Sequence, residues 1–221
     1  PNRVLFRDRL EQSIQKAKRH KEGFALFFID LDKFKHINDS LGHEIGDQVL
    51  REVSARLSAC IRKSDLVARF GGDEFVILLE DLRELKDIAH IAEKILHSLP
   101  PPIAIAPHVL HVTTSIGIAL VPADGDDVDG LMKAADVAMY RAKEQGRNNF
   151  QFYTPDMNFR AGELLMLETE LRKAIDEDQL VLHYQPQVHM ASGALVGMEA
   201  LVRWRHPEQG MVPPGDFIPL A

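Results

Sequence analysis

The chain has 221 residues, enough for one full domain and part of a second. An apolar content of 45% with 27% charged residues predicts a soluble globular protein, and a formal charge of −7 argues against a nucleic-acid groove as the main surface. Cys60 is the only cysteine, which excludes an intrachain disulfide, and no apolar run is long enough to cross a membrane. The expected setting is reducing and cytoplasmic, and a parent chain tethered through segments before Pro1 stays open.

In chain order, Phe24–Ile29 is an apolar run of strand length that ends in Asp30-Leu31-Asp32. Val49, Leu50, Val53, Leu57 and Ile61 line one face of a helix from about Glu44 to Ile61, which carries Cys60 as a buried structural thiol. Leu66–Phe70 and Phe75–Leu79 flank Gly71-Gly72, a hairpin signature that puts Asp73 and Glu74 at its tip. Leu85, Ile88, Ile91, Ala92, Ile95 and Leu99 mark a helix stopped by Pro100-Pro101-Pro102. Val109–Leu120 reads as one strand. Leu131, Ala134, Ala135, Ala138 and Met139 mark another helix, with Gly146 as its C′ residue, and Phe150–Tyr153 reads as a last strand. This alternation predicts an α/β (α+β) sandwich with a central, mostly antiparallel sheet flanked by helices.

Composition shifts after Tyr153. The expected boundaries are a first domain over 1–153, a linker over 154–160 and a second, incomplete domain over 161–221. The second begins with a helix carrying Leu164, Leu167, Leu171, Ala174 and Ile175 on one face. Two strand-like runs follow, Leu180–Val188 and Leu195–Trp204, joined by Ala191-Ser192-Gly193.

A buried strand ending in acids, facing a hairpin tipped with acids, is a way to hold Mg²⁺ against phosphates. Asp30 and Asp73 are the side chains expected as ligands. Glu74 should point to the other face from Asp73 if the strand period holds. Asp32 reads equally as a site residue or as a structural cap for the following helix. The backbone amides of Lys33 and Phe34, at a helix start, suit phosphate oxygens. Lys143 and Arg147 also read simply as cations at a helix C-terminus.

The string from Ile29 to Asp39, then Gly42-His43, Gly46-Asp47 and Gly71-Gly72-Asp73-Glu74-Phe75, resembles the GGDEF family of diguanylate cyclases from Pro1 to about Tyr153. The resemblance implies a fold like the palm of nucleotide cyclases and polymerases. It implies condensation of two GTP into cyclic di-GMP and two pyrophosphates, with Mg²⁺ (or Mn²⁺) as cofactor. By the same resemblance, Asp30, Asp73, Glu74 and the backbone carbonyl of Leu31 hold metal, and Asp73 and Glu74 serve catalysis. Lys33, Phe34, Asn38, Asp47, Gly72, Lys143 and Arg147 would bind GTP, with Asn38 and Asp47 on guanine and Lys143 and Arg147 on the triphosphate. Arg62 and Asp65 match the family's R-x-x-D inhibitory site for cyclic di-GMP. One domain would bind one GTP, so the resemblance implies a homodimer controlled by an upstream sensory domain.

Tyr184–Gln187, Glu199–Trp204 and Pro214–Pro219 resemble the opening of an EAL phosphodiesterase domain, a TIM-type barrel that needs about 250 residues. Glu199 resembles its first metal ligand, and Gln185, Leu201 and Arg203 its substrate contacts. Two further readings stand beside the cyclase: a non-catalytic GTP-binding regulator of the phosphodiesterase, and a cyclic di-GMP receptor acting through Arg62 and Asp65.

Overall fold

All eight residues of the first strand, β1 (Phe24–Leu31), are buried. The reason lies in its position. In a computed structural model, which describes residues 3–20, 22–80 and 85–218 (backbone alone for 85, 159–166 and 168), β1 is the middle of a five-stranded sheet of order β2-β3-β1-β6-β7. The partners are β2 (Leu66–Gly71), β3 (Glu74–Leu79), β6 (Thr114–Val121) and β7 (Phe150–Phe152). The β1–β3, β1–β6 and β2–β3 pairs are antiparallel, and β6–β7 alone is parallel.

Helices cover both faces of this sheet. Ala25, Phe27, Ile29 and Leu31 pack with Val49, Leu50, Val53 and Leu57 of α3 (His43–Cys60) and with Ile88, Ala92 and Ile95 of α4 (Leu85–Ser98). The alternate residues Phe24, Leu26 and Phe28 pack with Phe6, Leu10 and Ile14 of α1 (Arg3–His20) and with Leu131, Ala135 and Met139 of α5 (Val128–Glu144). A strand covered on both faces is apolar throughout rather than alternating, hence the unbroken run. The side chain of Leu85, expected on the α4 face, lies outside the described residues.

Two elements differ from expectation. No helix was expected at residues 3–20, yet α1 buries Phe6, Leu10, Ile14 and Ala17 along one stripe. The single strand expected over Val109–Leu120 is two: β5 (His108–Leu110) pairs with β4 (Ile103–Ile105) in a separate hairpin, and β6 starts at Thr114. Between them Val112 turns into the core. At the end of α4, the Arg56 guanidinium donates to the carbonyls of Ser98, Leu99, Pro101 and Pro102, satisfying acceptors that the prolines leave without amide donors.

The chain forms two compact units, residues 1–158 and 159–221. The segment 154–160, expected as a linker, is helical from its second residue, since α6 spans Pro155–Asp176 with proline at its first turn. In the second unit β10 (Gly210–Val212), β9 (Leu195–His206) and β8 (Leu180–Val188) form an open antiparallel sheet. Leu167, Leu171 and Ala174 of α6 pack with Trp204, Val212 and Phe217, the last from α7 (Pro214–Phe217). Ile175, expected on this apolar face, is exposed; the Leu164 side chain lies outside the described residues.

The tightest constraint near the prospective site is the approach of α5 to β6. A Cβ on Gly117 would lie 1.9 Å from the Ala135 carbonyl oxygen and 2.2 Å from the Met139 nitrogen, both backbone atoms. Gly117→Ala should therefore push α5 off the sheet and cost about 2–3 kcal/mol. Urea unfolding of the variant checks this, and an unchanged midpoint would contradict the contact.

Candidate active site at the end of β1

The sheet register brings the acidic residues together. Asp30 is the cross-strand partner of Glu74 on one side and of Ser115 on the other, so these side chains share the face covered by α5. The β2–β3 hairpin folds its tip onto the same strand end, with the Leu31 N–H donating to the Asp73 carbonyl at 3.3 Å. Gly72, at φ 47°, makes this turn, and its carbonyl accepts from Arg69 Nε at 2.9 Å. Asp30, Leu31, Asp73 and Glu74, expected together, are thus gathered by one strand end and one hairpin.

Lys143, from the last turn of α5, closes the cluster. Its Nζ lies 2.8 Å from Asp30 Oδ1, and the Asp30 residue is only 8% exposed. Burial pushes the Asp30 carboxyl above its ordinary range; the hydrogen bond and charge of Lys143 pull it back, and the charges of Asp73 and Asp32 push it up again. Glu74 is raised by burial first, then by Asp136, Asp30 and Asp73, with Lys143 opposing. Asp136, on α5 seven residues before Lys143, is itself raised by desolvation. It was not anticipated, although a carboxylate two helical turns before a site lysine is a readable signal.

Asp32 does not cap the following helix. Lys33 holds the N-cap position of α2 (Phe34–Leu41) in a left-handed conformation, and no side-chain bond caps that helix. The Asp32 carboxylate instead accepts from Thr113 Oγ1, from Ser115 Oγ and from the Asn148 N–H. Thr113, Ser115 and Asn148 were not expected; the polar run Thr113-Thr114-Ser115 opening an otherwise apolar strand was the available signal.

The remaining expected residues flank this cluster. Lys33 and Phe34 start α2, where the Phe34 ring is buried and the first amides point out of the helix. Asn38 lies against α3: a Cβ at Gly46 would meet Asn38 Oδ1 at 1.9 Å, so any larger residue would displace this amide. Asp47 follows Gly46 and is exposed, at the same α2–α3 corner. Arg147 is exposed in the turn after α5, with φ 62°.

Arg62 and Asp65 lie at the other end of β2 from the Gly71-Gly72 turn, about 20 Å of strand away. Asp65 accepts from the Arg62 N–H at 2.8 Å, closing its own turn, and the Arg62 side chain is exposed. In the second unit, Gln185 pairs with Glu199, His183 with Leu201 and Val181 with Arg203. Gln185, Glu199, Leu201 and Arg203 therefore share one face of the β8–β9 hairpin, opposite the face that buries Trp204.

Among the described residues, no three His, Cys, Asp or Glu side chains are grouped as a ready metal centre. The donor chemistry at the end of β1 nevertheless suits a hard divalent cation. All donors there are oxygens, and the upward shifts of Asp30 and Glu74 come first from burial and then from neighbouring carboxylates.

Comparison with known proteins identifies the family and the fold. Residues 1–149 match the family described as diguanylate cyclase, GGDEF domain, and residues 168–221 match the EAL domain. The whole chain is 50% identical to the bifunctional diguanylate cyclase/cyclic di-GMP phosphodiesterase MucR of Pseudomonas aeruginosa and 43% identical to the cyclic di-GMP phosphodiesterase PdeR of Escherichia coli K12. It spans 32% and 33% of their lengths, about a third in each case. Among solved structures, the GGDEF domain of YfiN (TpbB) from P. aeruginosa matches with a TM-score of 0.71 at 40% identity, over 73% of this chain and 95% of that one. The GGDEF domain of DgcB from Caulobacter crescentus, solved with cyclic di-GMP, matches with a TM-score of 0.63 at 29% identity, over 68% of this chain and 87% of that one. The chain belongs to the diguanylate cyclase GGDEF-domain family, its GGDEF domain being followed by a segment of an EAL domain.

Proposed function

We propose that the first unit is one half of a metal-dependent diguanylate cyclase, in which two copies each present one GTP and join them into cyclic di-GMP with release of two pyrophosphates. The observation that carries this reading is the meeting of Asp30 with Glu74 and the Asp73 turn beneath Lys143. Attack of a 3′-hydroxyl on an α-phosphate is limited mainly by charge and positioning. A bound Mg²⁺ would supply Lewis-acid stabilisation of that charge, held by Asp30, Asp73, Glu74 and the Leu31 carbonyl.

The chain's other groups bind and orient. Amides at the start of α2, from Lys33 and Phe34, donate to phosphate oxygens, and Lys143 and Arg147 add cations from the end of α5. Asp47 accepts from the guanine N1–H and amine while the Asn38 amide meets another polar edge, on a corner that Gly46 keeps open. Glu74, the cross-strand partner of Asp30, would take part in metal binding or in activating the hydroxyl. Arg62 remains available to a product phosphate or guanine, whereas Asp65 would have to share its carboxylate with its own turn.

A second reading has specific support. The relatives NbdA of P. aeruginosa, at 44% identity, and PdeR are named cyclic di-GMP phosphodiesterases. In that reading the GGDEF unit binds GTP without turnover and regulates an EAL domain. Among the described residues no helix is long and apolar enough to cross a membrane.

Incubation with GTP and Mg²⁺, followed by product analysis, separates the two readings. Cyclic di-GMP should form, with specific activity rising with protein concentration where monomer and dimer coexist. Asp73→Ala should lower the rate about 10²-fold or more, the scale of losing one charge-stabilising group. Its melting temperature should hold, because the Asp73–Leu31 bond uses backbone atoms. GTP binding without product supports the regulator, and an active Asp73→Ala variant removes this residue from the site.

Metal binding is testable without turnover. Lys143→Met leaves Asp30 beside Asp73 and Asp32 with no ammonium, at a cost on the order of 2 kcal/mol, between those of exposed and buried pairs. Saturating Mg²⁺ should then raise the melting temperature of the variant more than that of the parent. Equal shifts would place the metal elsewhere.

A further inference from the structure

We propose that Asp32 is a positioning residue for the triphosphate end of the site, acting through Asn148 to hold Arg147 in place. The inference rests on the reading of Arg147 as a phosphate contact given above.

The turn that carries Arg147 is under backbone strain. Gly146, Arg147 and Asn148 are consecutive residues at φ 104°, 62° and 48°. Glycine adopts such angles freely and asparagine tolerates them, but Arg147 does so at a cost of about 1 kcal/mol or more. The turn must therefore be held. It begins as a Schellman motif, with the Gly146 N–H donating to the Lys143 carbonyl at 3.3 Å and the Arg147 N–H to the Ala142 carbonyl at 3.2 Å. The Asn149 side chain continues it, donating from Nδ2 to the carbonyls of Ala142 at 2.7 Å and Arg147 at 3.0 Å. The Lys143–Asp30 pair anchors the near end of the turn, and the Ile116 N–H, donating to the Asn149 carbonyl at 3.1 Å, anchors its far end to β6; Arg147 and Asn148 lie between these anchors.

Asp32 supplies the tie at the middle of the turn, at Asn148. It lies two residues beyond Asp30 and is 9% exposed. Its Oδ2 accepts from the Asn148 N–H at 3.2 Å and from Thr113 Oγ1 at 2.7 Å, and its Oδ1 accepts from Ser115 Oγ at 2.7 Å. Its own N–H donates to the Thr113 carbonyl at 2.9 Å. The carboxylate is thus locked to the start of β6 by two hydroxyls and reaches the strained turn with its remaining capacity. An ionised carboxylate is acceptor-only, so one small side chain can take three donors from two elements at once. Arg147 itself is exposed, free to meet a ligand once its backbone is set.

The test measures affinity of the full chain for a non-hydrolysable GTP analogue with Mg²⁺, and for guanosine, by calorimetry. Asp32→Ala should weaken the analogue about ten-fold, the scale of one lost charged contact, and leave guanosine unchanged. Asp32→Asn should bind like the parent, because its amide oxygen can accept from Asn148 and Thr113 while the Ser115 hydroxyl rotates to accept from its NH₂ group. Asp32→Ala combined with Arg147→Ala should be no weaker than Arg147→Ala alone, since the two act as one unit. Hydrogen exchange at the Asn148 amide should quicken in Asp32→Ala and not in Asp32→Asn.

Losses that multiply in the double variant, or an equal loss for guanosine, would overturn the proposal. Unchanged exchange at Asn148 would do the same. If Asp32→Ala does not fold, Ser115→Ala, which frees Oδ1 alone, must weaken the analogue and spare guanosine; equal weakening overturns the role of Asp32. A parent that binds no GTP analogue would remove the cyclase reading as well, whereas a parent that binds it with multiplying losses removes only Asp32.

Discussion

The ion pair between Lys143 and Asp30 is the contact on which the site depends. Asp30 ends a strand that is buried along its whole length, so its carboxylate has little water around it. Asp73 and Glu74 arrive from the hairpin and Asp32 from the next turn of the same chain, all of one sign. Such a cluster is tolerated because an ammonium lies 2.8 Å from Asp30 and because the Asp32 carboxylate has its own hydroxyl and amide donors. Asp32 is satisfied by hydroxyls and an amide, while burial first, and neighbouring carboxylates second, raise the proton affinity of Asp30 and Glu74. A site that is electrostatically incomplete in this way has a physical reason to take up a cation.

The fold provides this arrangement through two close approaches. Gly117 lets α5 lie directly on β6, which brings the last turn of α5, and Lys143 with it, over the end of β1. Gly46 performs the same service at the α2–α3 corner, where its missing side chain gives Asn38 room. Neither glycine contacts a ligand in the proposed reading, yet each fixes where a polar side chain sits. In that reading, the phosphate end and the guanine corner are held by packing rather than by loops alone.

Much of this was legible in the sequence. The β1 run is continuous because helices cover both sheet faces, and Gly71-Gly72 announced the hairpin that carries Asp73 and Glu74. Gly146 was readable as the C′ residue of α5, and the gathering of Asp30 with Asp73 and Glu74 was readable from the acidic strand end and the hairpin. Other features were hidden for physical reasons. The stripe Phe6–Leu10–Ile14–Ala17 of α1 is diluted by charged neighbours and makes sense only once the second sheet face needs a cover. The break after β5 depends on Val112 turning inward, which no local pattern encodes. Asp32 could not be assigned because its partners Thr113 and Asn148 lie 81 and 116 residues away. Ile175 matched the helical period but falls where the α6 face runs past the small core around Trp204.

The central claim is that the end of β1 takes up a divalent cation at Asp30 and its neighbours. Direct titration of Mn²⁺ into the full chain, followed by electron paramagnetic resonance in the absence of nucleotide, tests it most directly. The account predicts a bound-metal signal that is lost in Asp30→Asn and kept in Asp65→Asn, whose carboxylate lies at the far end of β2. A signal of equal strength in Asp30→Asn would contradict it.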